Sequence, residues 1–170
     1  MEKDAERQNS FAAVILNTLG VILILAGLIP ALMLTVPRIA GFEMYNVVSG
    51  SMEPEIPVGS MVFVKPAGDT VRIGEGDVIA FYRNGAVITH RVVAVNDSTG
   101  EIHTKGDANA QEDMETVPYG DVIGIVEHHF PYVGHIGGVL TKLSGKILLF
   151  GFIALGVLLQ VWAGRVRNAC

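Results

Sequence analysis

Two serines stand two residues apart in the stretch Val47-Val48-Ser49-Gly50-Ser51-Met52-Glu53-Pro54. A free serine hydroxyl is a weak nucleophile and becomes a strong one only beside a general base. The chain carries such a base downstream, His90. It also carries acids in the polar run Thr104-Lys105-Gly106-Asp107-Ala108-Asn109-Ala110-Gln111-Glu112-Asp113. Hydroxyl, imidazole and carboxylate are the groups of acyl transfer: a nucleophile, a base that takes its proton, and an acid that orients the base. Donors for the developing oxyanion complete such a site. On this reading Ser51 is the candidate nucleophile, His90 the candidate base, and Asp107 or Asp113 the orienting acid. Each also has a plainer meaning. Ser-Gly-Ser is commonly a turn, a histidine among apolar residues commonly packs in a core, and an acid-rich loop is commonly solvated.

The elements that must position these groups read as strands. Strand-like runs at residues 60–66, 77–83, 86–95, 101–105 and 121–128 are separated by turn residues. Asn84-Gly85 between the second and third is a strong hairpin signal, because both residues accept positive φ. Alternation along 86–95 places Ile88, His90, Val92 and Ala94 on one face, and Val87, Thr89, Arg91, Val93 and Val95 on the other. Residues 106–115 are polar and irregular, and 131–144 read as Gly-rich and irregular. The segment 39–146 lacks extended helical periodicity. The expected fold class is mainly β, a compact antiparallel sheet or partial barrel.

The two ends differ from this segment. The 170-residue chain is 50% hydrophobic and only 17% charged, against roughly 25% charged in an average soluble domain. The excess is concentrated in two charge-free runs. The first, 11–37, is about 27 residues long, more than the ~20 a helix needs to cross hydrocarbon. Pro30 is expected to kink or loosen it. A cleavable signal peptide would have a shorter apolar core of ~7–15 residues, so a retained anchor is favoured. The second run, 147–163, is about 17 residues, at the short limit for a span. An apolar helix packed on the sheet domain is the alternative for it. Lys3 and Arg7 before the first run, against Arg38 after it, place the N-terminus in the cytoplasm.

The expected organisation is therefore a cytoplasmic tail (1–10), a transmembrane helix (11–37), an extracytoplasmic catalytic β domain (38–146), a second transmembrane helix (147–163) and a tail (164–170). Two spans would return Cys170, the one cysteine, to a compartment that keeps it reduced. A net charge of −5 without a basic stripe argues against nucleic acid as a partner.

Four boxes in order, Ser49-Gly50-Ser51-Met52-Glu53-Pro54, Gly76-Asp77-Val78-Ile79, Thr89-His90-Arg91-Val92-Val93 and Thr104-Lys105-Gly106-Asp107-Ala108-Asn109, strongly resemble type I signal peptidases. The likeness is to the branch of the endoplasmic reticulum, archaea and some Gram-positive bacteria, and it covers about 47–126. In the bacterial branch a lysine precedes the arginine of the third box. Here that place is held by His90, which argues against Lys65 or Lys105 as the base. The resemblance implies a Ser-His-Asp triad of Ser51, His90 and Asp113, with Asp107 as a supporting carboxylate. It also implies that the Ser49 hydroxyl and the Ser51 backbone N–H serve the oxyanion. The implied activity is that of a serine endopeptidase cutting signal-peptide-bearing precursors after small-x-small sites at a membrane. No cofactor or metal is implied. The family often has asparagine where this chain has Ala108, which bears on the hydrogen bonds of that loop.

Rival readings exist. Metal binding by His90, His103, His128, His129 and His135 lacks ligand spacing such as His-Glu-x-x-His. A membrane-anchored, non-enzymatic β domain for binding or scaffolding is the main alternative. A related serine protease acting on a spore or biofilm component is another. Whether accessory subunits take part is not legible in the sequence.

Overall fold

The computed structural model describes residues 2–68 and 72–168. Cys170, and with it the end of the expected C-terminal tail, lies outside the described residues. The chain divides into two compact units, 1–35 with 139–170, and 36–138.

The first unit is a pair of helices, most of α1 (Glu2–Ile39) and α3 (Leu143–Asn168). Stretches Ser10–Ile39 and Leu143–Arg167 are long and apolar enough to cross a membrane. α1 continues as a helix through Pro30. α3 begins before residue 147, because Leu143, Ser144, Gly145 and Lys146 extend it. Buried positions recur every seventh residue: Ala13, Gly20, Gly27 and Leu34 on α1, and Leu149, Gly156 and Ala163 on α3. Small residues let the backbones approach. A Cβ on Gly20 would stand 2.8 Å from the Gly156 oxygen, and one on Gly27 2.7 Å from the Leu149 oxygen. Close backbone packing of this kind holds helices together where lipid removes the hydrophobic drive.

The second unit is a seven-stranded antiparallel sheet in the order β1-β2-β7-β3-β4-β5-β6. Its strands are β1 (Glu43–Asn46), β2 (Met61–Pro66), β3 (Val78–Arg83), β4 (Ala86–Asn96), β5 (Glu101–Lys105), β6 (Val117–Pro118) and β7 (Val122–Phe130). Asn84 and Gly85 take φ of 52° and 78° and turn β3 into β4, as the hairpin signal requires. Alternation along β3 splits the core in two. Ile79 and Phe81 join Ile73, Val92, Ile102 and Val117. Ala80 joins Met52, Ile56, Val62 and Val64. Both faces are thus covered, and Met61 to Val64 of β2 are all buried, the mark of a strand with no solvated face.

The antiparallel sheet and the two long apolar helices are as expected, and three finer points differ. First, 42% of the chain is helical, so "mainly β" describes the second unit rather than the whole chain. Second, residues read as irregular form a helix, α2 (Val133–Leu140). Its glycines lower helix propensity, but they serve packing. A Cβ on Gly134 would stand 2.6 Å from the Ser60 oxygen, and one on Gly138 2.7 Å from Asn46 Nδ2. Third, the β4–β5 register shifts between Val92 and Ala94. Past this bulge the faces exchange. Val95, not Ala94, packs on the core that holds Ile88 and Val92, and Ala94 is exposed.

Candidate active site

Ser51 sits on the turn that joins β1 to β2. The side chains of Met52 and Ile56 are each 1% exposed and pin this turn to the core. The Ile56 N–H donates to the Met52 oxygen at 2.8 Å, and the Glu53 N–H to the Gly50 oxygen at 3.1 Å. With its neighbour locked inward, Ser51 is held facing a cavity of about 350 Å³. Ser49 borders the same cavity, and its Oγ lies 3.5 Å from Ser51 Oγ.

His90 reaches that cavity from the middle of β4. It is 8% exposed. The Phe81 ring, 6.3 Å away centroid to centroid and nearly perpendicular, backs the imidazole. His90 Nδ1 is 2.6 Å from Asp113 Oδ2. An ionised carboxylate can only accept, so Nδ1 donates in this bond, and in the neutral ring Nε2 is then the free acceptor. That tautomer is the one a base needs.

Asp113 is itself held twice by Thr104, a fully buried residue of β5. The Thr104 hydroxyl donates to Asp113 Oδ2 at 2.6 Å, and the Asp113 N–H donates to the Thr104 oxygen at 2.9 Å. Arg83 Nη1 approaches the same carboxylate oxygen at 3.9 Å. Neither Thr104 nor Arg83 was singled out from the sequence. Thr104 heads the fourth box and could have been, whereas nothing in the pattern marks Arg83.

Asp107 lies elsewhere in the network. Arg91 grips it with two bonds, Nε to Oδ1 at 2.8 Å and Nη2 to Oδ2 at 2.7 Å, and donates to the Gly76 oxygen at 2.9 Å. The hydrogen bond to Asp107 pushes the Arg91 pKa up, against the opposing effect of burial. This pair ties three boxes together. The Ala108 N–H donates to the Ser51 oxygen at 2.9 Å. The backbone makes this link, so alanine in place of the family's asparagine leaves it intact. Asn109, the next residue, lines the cavity.

The two lysines considered as alternative bases border this cavity in neither case among the described residues. Lys65 pairs with Glu127 at 2.9 Å on the surface. The stretch 43–48 leads into the Ser51 turn. Its first four residues form β1, which bonds to β2 on one edge and ends the sheet order on the other. Tyr45 of β1 and Val47, Val62 and Val87 give the cavity its apolar wall.

Residues 18–122 match the protein-family model described as signal peptidase, peptidase S26. Over 84 residues the chain is 38% identical to Signal peptidase I W of Bacillus subtilis (strain 168), covering 48% of this chain and 44% of that protein. Over 126 residues it is 33% identical to the signal peptidase complex catalytic subunit SEC11 of Fusarium vanettenii, covering 67% of this chain and 73% of that protein. The same subunit of Clavispora lusitaniae is 29% identical over 125 residues. The matched region thus spans less than half of the Bacillus relative and about three quarters of the fungal ones.

Proposed function

Because this chain belongs to the signal peptidase family, peptidase S26, we propose that it is a membrane-bound serine endopeptidase that removes signal peptides from secretory precursors. The observation that carries this reading is one arrangement: His90 bonded to Asp113 at 2.6 Å and sharing a cavity with Ser51.

The mechanism follows from the roles that geometry suits. Ser51 Oγ attacks the scissile carbonyl while His90 Nε2 takes its proton. Asp113 keeps the ring oriented and stabilises the imidazolium. The Ser49 hydroxyl and the Ser51 backbone N–H receive the oxyanion. Such a donor is worth on the order of 10²–10³ in turnover. The imidazolium then protonates the leaving amine, and water, activated by the same base, hydrolyses the acyl-enzyme. Asp107 supports the site through Arg91.

The substrate is a precursor with small residues at the first and third positions before the cut, presented as an extended strand along the free edge of β1. The lipid bilayer is the second partner. Residues 11–37 and 147–163, the apolar centres of α1 and α3, span it. The protein is multi-pass in the plasma membrane, with 38–146 on the extracytoplasmic side. No nucleic acid takes part.

Substituting the residue before the cut in a precursor tests the assignment. Alanine there should be cleaved, and a bulky leucine should block cleavage. Equal cleavage of both would point to a protease of another specificity.

A further inference from the structure

We infer that Arg83, at the end of β3, is a positioning residue for the His90–Asp113 pair; this deepens the catalytic reading above and rests on it. Five contacts converge on its guanidinium. Nη2 donates to the Glu115 oxygen at 2.8 Å and reaches the Thr116 oxygen at 3.5 Å. Nη1 stands 3.9 Å from Asp113 Oδ2. Nε lies 3.8 Å from the Glu115 carboxylate. The guanidinium carbon sits 5.0 Å from the centre of the Phe81 ring.

These contacts reach both members of the pair by separate routes. The carbonyls of residues 115 and 116 lie two and three positions beyond Asp113, so the arginine fixes the far end of the loop that carries the acid. Thr104 fixes Asp113 from β5. Phe81, fully buried, touches both: the guanidinium lies over its ring, and the His90 imidazole meets it edge to face. A cation held against an aromatic face restrains both groups. The arginine side chain is 18% exposed and the Asp113 side chain 11%, so solvent screens their attraction only in part.

Arg83 does not act on substrate. It borders a different cavity, of about 440 Å³, which contains none of Ser51, His90 and Asp113. Its loss should therefore slow the chemical step and leave substrate binding alone. A lysine would keep the charge but lacks the planar fork that serves two carbonyls and a carboxylate together. It should recover activity only in part. An arginine that merely covers the surface of the sheet would make no such distinction.

The test uses the full-length protein in lipid vesicles, with kcat and KM measured for one precursor in the wild type, Arg83→Met, Arg83→Lys and Ser51→Ala. Melting temperatures are recorded, and rates are taken well below all of them. Misplacement of a reacting group by about 1 Å can cost 10²-fold. Arg83→Met should lower kcat at least tenfold with KM within twofold, and Arg83→Lys should fall between it and the wild type. A kcat within twofold of wild type in Arg83→Met, or a change confined to KM, would overturn the inference. Should Arg83→Met fail to fold, Arg83→Lys decides: reduced kcat at constant KM supports the role, and full kcat rejects it. Cleavage by Ser51→Ala would instead remove the catalytic reading on which the inference stands.

Discussion

Gly106 lies so close to Ser51 that a Cβ on it would stand 2.6 Å from the Ser51 carbonyl oxygen and 2.8 Å from Asn109 Nδ2. The loop bearing the acids is thus packed directly on the backbone of the candidate nucleophile, and the Ala108 N–H bonds to the same oxygen. Two boxes far apart in sequence form one rigid joint. A methyl group at Gly106 must displace the Ser51 turn or the acid-bearing loop, and with either the alignment of Ser51 and His90. Gly106→Ala should lower kcat by about 10²-fold while the sheet stays folded. Wild-type turnover by a folded Gly106→Ala protein would contradict this.

The two aspartates should separate cleanly. Asp113→Asn keeps the size of the side chain but no longer favours the His90 tautomer with its proton on Nδ1. Loss of turnover on the order of 10⁴-fold is expected, as for the aspartate of a Ser-His-Asp triad. Asp107→Asn removes the bidentate partner of Arg91. That pair is partly exposed, so its contribution is modest, up to about 1 kcal/mol. Such a loss lowers the melting temperature of a domain of ~100 residues by roughly 4 °C. Steady-state kinetics and thermal melts of both variants check the assignment. The reverse pattern would exchange the roles.

Tyr45 gives a pH signature. Burial raises its phenol pKa, and the hydrogen-bonded Glu43 carboxylate raises it further. Folding favours the neutral phenol, so its contribution to stability is complete below the ordinary tyrosine range. It is lost as the pH rises through the raised, folded-state value. Tyrosine ionisation at this wall of the cavity therefore should not limit cleavage at mildly alkaline pH. Glu43→Gln removes the carboxylate's share, and the phenolate absorbance of Tyr45 should appear at lower pH. Subtracting the titration of Tyr45→Phe isolates that signal. An unchanged titration would show that Glu43 does not act on the phenol.

Much of this was legible in the chain itself, and the reasons are physical. The strands at 60–66, 77–83 and 86–95 announced themselves because each is largely apolar and bounded by turn residues, and the 84–85 turn could hardly be anything else. His90 on the face of Ile88 and Val92 followed from a period of two. The bulge after Val92 did not, because an extra residue leaves no trace in composition. α2 was missed because Gly134 and Gly138 look like helix breakers until the strands they pack against are in place. Asp113 and Asp107 could not be told apart by local pattern, since both sit in one polar loop and only the fold brings one to His90 and the other to Arg91. Arg83 was invisible for the same reason: its partners, Phe81 aside, lie thirty or more residues away.

The most direct test of the central claim is precursor cleavage by full-length Ser51→Ala in membranes, beside the wild type. The account expects a folded, membrane-inserted protein with no detectable cleavage while the wild type releases the signal peptide. Cleavage by Ser51→Ala at the wild-type rate would contradict it.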